Sequence, residues 1–166
     1  MPDKLDIDTK ALKKNLEEFI DITLIGDHIL QERDPDPQGD ITFQHLKRHA
    51  QSRLYHILEV YEESPKEGKK YLQKCYKEAY AQLNEYKSIL KQVPRNERLR
   101  GMLRSYLTGA KDGPQADYEY ANRQGKRIKL SDLVDLIITD ATFEAMEYMG
   151  QMLRVKLTHQ GIAWRR

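Results

Sequence analysis

The residues best suited to do chemistry in this chain are the basic residues of its middle part. Residues 65–93 hold seven lysines and three glutamates. At about 100° per residue the lysines share one flank of a helix, and Glu67, Glu78 and Glu85 fall on the opposite flank. Such a band is on the order of 38 Å long, and exposed cations bind a phosphate backbone by releasing its counterions. We therefore predict nucleic-acid contacts at Lys66, Lys69, Lys70, Lys74, Lys77, Lys87, Lys91, Arg95, Arg98, Lys126, Arg127 and Lys129.

Charge is unevenly distributed along the sequence. Residues 1–64 carry a net charge of −6, residues 65–131 carry +9 and residues 132–166 carry −1. The acidic first third supplies an alternative, because the lysines would then pair internally, or would meet an acidic protein surface in place of nucleic acid. The sequence leaves these alternatives open.

Three histidines, His45, His49 and His56, follow one side of a predicted helix. His45 and His49 have the i, i+4 spacing that lets two imidazoles share a metal. His56 lies about 10 Å beyond His49, too far for one metal bonded at about 2 Å. The stripe also points away from the apolar face, whereas metal ligands in helix bundles project inward. We expect no metal and no cofactor.

Arg154 and His159 stand near the end of the chain with four residues between them. This spacing resembles the motif of HEPN ribonucleases, all-α proteins in which the Arg and His act on an RNA phosphodiester. The resemblance implies RNA cleavage by these two residues. On a continuous helix, however, residues five apart point about 140° apart, and Val155 stands where the family has a polar residue. We therefore assign no catalytic residue, lean away from an enzyme, and keep the HEPN-like ribonuclease as an alternative.

Hydrophobic periodicity and Pro/Gly punctuation predict only helices, with no strand-like alternation. Ser64, Pro65 and Glu67 form a capping box that starts a helix. The predicted fold is a single all-α domain, residues 1–166, in which four long helices pack as a bundle. The long helices span about 9–33, 41–63, 65–92 and 131–160, and two short helices, about 96–108 and 115–124, lie between the third and the last.

The last predicted helix is apolar on two faces, which is typical of a helix buried by neighbours on several sides. Its stronger face predicts the core. Its weaker face packs either on the short helices or on another chain, so these residues are also candidates for partner binding: Leu136, Phe143, Met146, Leu153 and Leu157.

The remaining features bound the class of protein. No apolar run reaches the length of a membrane span, and a single cysteine excludes an internal disulfide and fits a reducing compartment. We expect a cytoplasmic, non-catalytic binding protein or complex subunit that contacts nucleic acid and forms a small oligomer or joins a larger complex. A protein–protein adaptor or oligomeric scaffold, using the weaker face of the last helix, is the alternative.

Overall fold

The computed structural model describes residues 8–26 and 41–157. Four long helices form a bundle, and the all-α fold class is confirmed. The bundle helices are α1 (Thr9–Gly26), α2 (Ile41–Glu63), α3 (Pro65–Glu85) and α6 (Leu130–Met152). Between α3 and α6 come α4 (Lys87–Gln92), a 3-10 turn (Val93–Arg95), α5 (Glu97–Leu107), and the antiparallel strands β1 (Glu119–Ala121) and β2 (Arg127–Lys129).

Successive bundle helices run antiparallel. Glu17 and Asp21 of α1 meet Gln51 and Lys47 of α2 in reverse order along the chain. The same reversal occurs between α2 and α3 across the one-residue connection at Ser64, because Tyr61 lies against Gly68 and the rings of His56 and Tyr71 are 5.3 Å apart. Because α6 packs against α1, α2 and α3, it is the central helix that its two apolar faces predict.

The third predicted helix is interrupted at Tyr86, where α3 ends and α4 begins. Leu83, Ile89 and Leu90 are all buried. On an unbroken helix Ile89 would point about 120° away from Leu83, so the interruption lets both side chains reach the core. The prediction of one continuous helix to residue 92 is wrong for this reason.

The last helix ends at Met152, so the prediction that it continues to residue 160 is wrong. Arg154 has a left-handed φ of 58°, and the N–H of Val155 donates to the carbonyl of Gly150 at 2.7 Å. This is the Schellman pattern that closes helices by satisfying their last carbonyl groups. The chain then folds back so that Leu157 covers Gly150, where an added Cβ would lie 2.7 Å from Leu157 Cδ1.

Residues 115–124 do not form the predicted short helix, and the expectation of no strands is also wrong. Tyr120 pairs with Ile128 across the β1–β2 hairpin, and Ile128 is buried. The N–H of Gly125 donates to the carbonyl of Asn122 at 3.0 Å, and Gly125 has a φ of 82°. A left-handed glycine suits this turn because glycine lacks a Cβ. Predicted helical residues 27–33 and 158–160 lie outside the described residues.

Candidate nucleic-acid interface

The lysines of α3 lie on the side of the helix away from the core. Leu72, Tyr76, Ala79 and Leu83 bury the opposite side. Among the residues predicted to contact nucleic acid, Lys69 and Lys126 are half-buried. The others are exposed: Lys66, Lys70, Lys74, Lys77, Lys87, Lys91, Arg95, Arg98, Arg127 and Lys129.

The carboxylates of α1 do not neutralise these lysines within the described residues. Its Glu17 and Asp21 lie 3.4 Å and 3.1 Å from Lys47 of α2. No lysine of α3 or α4 pairs with a carboxylate in this part of the structure. The lysine charges of α3 and α4 therefore face solvent, as binding to a polyanion requires.

The hairpin is held against the end of α3 and against α4 by side-chain contacts. Asn122 Nδ2 donates to Ser88 Oγ at 3.0 Å. Lys126 Nζ lies 3.4 Å from Glu85 Oε1 and 4.7 Å from the centre of the Tyr86 ring. Lys126 is thus partly neutralised, and its position serves the fold as well as any ligand.

On the outer face of the hairpin, Arg127 and Lys129 project to solvent from β2. Arg127 lies 4.0 Å from Glu119 across the strands, and both side chains are largely exposed. An exposed pair at this distance contributes little to stability. Arg127 therefore keeps most of its capacity to meet an anion.

A groove separates the hairpin from α4 and from the start of α5, and its volume is about 950 Å³. We call it the hairpin groove. Among the described residues, its charged lining residues are Lys91, Arg95, Arg100 and Arg123, with Glu97 as the single carboxylate. The hairpin groove therefore collects positive charge from parts of the chain more than 20 residues apart.

The wall of the hairpin groove is ordered by hydrogen bonds around Tyr120. The Tyr120 hydroxyl donates to Gln92 Oε1 at 3.0 Å and accepts from Asn96 Nδ2 at 3.4 Å. Asn96 Oδ1 also accepts the N–H of Leu99 and so caps α5. These bonds hold the Tyr120 ring in place before any ligand arrives.

Arg100 is the buried cation of the hairpin groove. Its side chain donates to the carbonyl groups of Pro94 at 2.6 Å and Val93 at 3.4 Å, and only 9% of the residue is exposed. No carboxylate among the described residues forms an ion pair with it. A buried charge without a counter-ion is unfavourable, because neutral carbonyl groups replace only part of its lost hydration.

A second cavity, of about 470 Å³, lies between α2, α3 and α6. Arg53 binds Asp135 and donates to Thr139 Oγ1 at 3.0 Å, and Gln82 Nε2 donates to Asp135 Oδ2 at 3.1 Å. These polar groups satisfy one another across three helices. Their arrangement is that of a network that fixes helix packing rather than of a ligand site.

Cys75 lines the same cavity and is half-buried. Burial raises the pKa of its thiol, and a hydrogen bond with Tyr71 opposes that rise. A thiol with a raised pKa is largely protonated at neutral pH and is therefore a poor nucleophile. The geometry assigns no chemistry to Cys75.

The histidines of α2 are exposed, as expected from their position away from the apolar face. The rings of His45 and His49 lie 4.7 Å apart, centre to centre. Partial burial, and then His49 and Arg48, lower the pKa of His45. Within residues 8–26 and 41–157, no three His, Cys, Asp or Glu side chains meet as a metal site would require.

The weaker face of α6, predicted as a partner surface, is packed inside the chain. Leu136, Phe143, Met146 and Leu153 are buried, and Leu157 is half-buried. The Phe143 ring stacks on Tyr76 of α3 with centroids 4.7 Å apart. Four of the five residues of this face therefore contribute to the core of the described part of the chain.

The two residues of the ribonuclease alternative are not brought together by any described contact. Arg154 is exposed just after the end of α6, and His159 lies outside the described residues. Because the helix has ended, the objection based on a continuous helix no longer applies. The ribonuclease alternative therefore remains a prediction.

Comparison with protein-family models, with curated proteins and with solved structures finds no match to this chain. Nor does any helix in the described part combine the length and the apolar character needed to span a bilayer. The geometry of the basic surface is thus the basis for a functional proposal.

Proposed function

We propose that this protein is a non-catalytic nucleic-acid-binding protein. Its contact surface would consist of the exposed lysines of α3 and α4 together with the cations of the hairpin groove. The observation that supports this proposal is the absence of a carboxylate partner for the α3 and α4 lysines among the described residues.

The physical reason is the cost of concentrating like charges. Cations on one surface repel one another, and that repulsion is relieved when a polyanion replaces their small counterions. Lysine suits phosphate as a mobile point charge, whereas arginine adds a planar fork of donors. The surface has both kinds of residue: lysines along α3 and arginines around the hairpin groove.

A gel-shift titration at several salt concentrations tests the proposal. Lys66, Lys70 and Lys77 are exposed on the same flank of α3, so their combined replacement by glutamate reverses the charge there without disturbing the core. We expect wild-type protein to shift DNA or RNA in a salt-dependent manner and the triple variant to lose at least about tenfold in affinity.

A charge-matched control separates a local effect from a change of net charge. Lys10, Lys14 and Lys111 are exposed elsewhere, on α1 and on the loop after α5. Their replacement by glutamate changes net charge by the same amount, and we expect it to weaken binding by much less. Equal losses in both variants, or no shift by the wild type, would rule out the proposed surface.

A further inference from the structure

We infer that the hairpin groove binds single-stranded nucleic acid, with phosphates at its cations and a base against the aromatic rings of the hairpin. This inference rests on the proposed function and makes it more specific. The lysines of α3 contact phosphate on any strand, single or double, because they carry charge alone. The hairpin groove differs from them in shape, in its aromatic residues and in one buried charge.

Shape favours a single strand. The hairpin groove is an open depression with a volume of about 950 Å³. A nucleotide of a flexible strand can enter a space of that size. A duplex keeps its bases stacked and paired, so it presents only its outer phosphates to the rim.

The buried cation, Arg100, favours binding of an anion in the hairpin groove. Arg100 lines the hairpin groove, is nine-tenths buried, and has carbonyl groups but no carboxylate of the described chain as partners. A phosphate in the groove would supply the missing negative charge. Lys91, Arg95 and Arg123 are exposed on the walls, where they would hold the adjoining phosphates.

Aromatic rings favour nucleic acid over a simple anion. Tyr120 lines the hairpin groove. Tyr118 lies just outside the lining residues, two residues before Tyr120, which places both on one face of the ribbon about 7 Å apart. The N–H of Leu130 donates to the Tyr118 carbonyl at 3.0 Å, so the ladder continues to this residue. Tyr118 is 43% exposed, so its ring is accessible to a ligand. Base stacking on such rings is the usual companion of a basic groove in single-strand binding.

Fluorescence anisotropy with labelled oligo(dT), oligo(U) and a DNA duplex of equal length tests the inference at one fixed salt concentration. We expect Tyr118→Ala to weaken both single strands by at least about fivefold, and Tyr118→Phe to retain binding, because stacking needs the ring and not the hydroxyl. Duplex affinity should change by less than about twofold in either variant, since a stacked duplex does not present a base face to Tyr118.

A pair of double variants with equal charge change provides the control. Arg95→Ala with Arg123→Ala removes two cations of the hairpin groove, and Lys66→Ala with Lys70→Ala removes two from α3. The groove variant should weaken single strands by at least about tenfold more than it weakens the duplex. The α3 variant should weaken all three probes to a similar extent.

The results distinguish a failure of the proposed function from a failure of the single-strand assignment alone. If wild-type protein binds none of the probes, the proposed function and this inference both fail. If it binds the duplex as tightly as the single strands, or if the groove and Tyr118 variants affect every probe alike, nucleic-acid binding stands and the single-strand assignment is wrong. If oligo(dT) and oligo(U) both show the selective loss, the inference holds for DNA and RNA; a loss with one alone assigns it to that strand.

Discussion

Gly68 and Gly101 are both glycines inside helices, yet alanine should have opposite effects at the two positions. Gly68 is buried where α3 crosses α2, and a Cβ built on it would lie 2.2 Å from Tyr61 Cα and 2.6 Å from Tyr61 N. Gly101 is exposed on α5, and a Cβ there would meet nothing within 4 Å. The pair therefore tests helix packing with one chemical change.

The loss of stability at Gly68 depends on which atoms the added Cβ would overlap. They belong to the backbone of α2, so no change of rotamer relieves the overlap, and the helices would have to separate by about 1.5 Å to reach normal contact. The single residue that connects α2 to α3 prevents a free separation. Overpacking costs up to about 3 kcal/mol, and the better helix propensity of alanine returns about 1 kcal/mol. We expect Gly68→Ala to lower the free energy of unfolding by about 2 kcal/mol.

At Gly101 no packing cost opposes the better helix propensity of alanine. We expect Gly101→Ala to raise the free energy of unfolding by up to about 1 kcal/mol. For a domain of this size, 1 kcal/mol corresponds to a shift in Tm of about 2–4 °C. Thermal and urea unfolding followed by far-UV circular dichroism should show Tm lower by about 4–8 °C for Gly68→Ala and slightly higher for Gly101→Ala.

The stabilities of these two variants can refute the close packing of α3 against α2. If Gly68→Ala is as stable as the wild type, or if both alanines stabilise the protein equally, then α2 and α3 do not approach each other as closely as described. The side of α3 that faces solvent would then also need to be reassigned, because close packing at Gly68 orients Lys66 and Lys70 outward.

Three further predictions concern stability. Arg154→Gly should raise the free energy of unfolding by up to about 1 kcal/mol in urea titrations, because a φ of 58° disfavours any residue with a Cβ; unchanged or lower stability would contradict the cap at the end of α6. Thr139→Val should cost about 1–2 kcal/mol, since its hydroxyl accepts from Arg53 and donates to the Asp135 carbonyl, and a stability equal to that of the wild type would show that the network is dispensable. Burial raises the pKa of Tyr76 and of Cys75, so both groups are more easily deprotonated in the unfolded chain. Their contribution to the free energy of unfolding should be fully present below their unfolded pKa values, and it should be lost as pH rises through the alkaline range. Tyr76→Phe with Cys75→Ser should reduce that alkaline loss, and an identical pH profile in the double variant would contradict the assignment.

The parts of the fold that the sequence predicts well are those with strong local signals. The capping box places the start of α3 at Pro65, and the Ser64 hydroxyl accepts the N–H of Glu67 at 3.3 Å. The apolar stripe of α2 predicts the observed bounds, Ile41–Glu63. Apolar residues on two faces of α6 predict its central position, because such a helix has to be covered on several sides.

The parts that sequence analysis missed depend on weak or non-local signals. Strands of three residues give too little alternation to compete with a helical pattern. The glycine at position 125 was a signal for the turn between them, since it adopts a left-handed backbone there. The end of α6 was missed because its left-handed residue is Arg154, where glycine is the usual marker.

The candidate site also has one part that the sequence predicts and one part that it does not. The exposure of the α3 lysines follows from periodicity. The hairpin groove does not, because it requires Tyr120 and Asn122 to contact Gln92 and Ser88, about 30 residues earlier in the chain. Arg100 and Arg123 become site residues only once these contacts form.

The central claim, that this protein binds nucleic acid through its basic surface, is tested most directly by the salt dependence of its affinity for oligo(dT). The claim predicts that log Kobs falls linearly with log salt concentration, by about 0.7 per neutralised phosphate. Replacing Lys66, Lys70 and Lys77 by alanine should reduce the slope by about 2. No association at low salt, or a slope that the triple variant leaves unchanged, would contradict it.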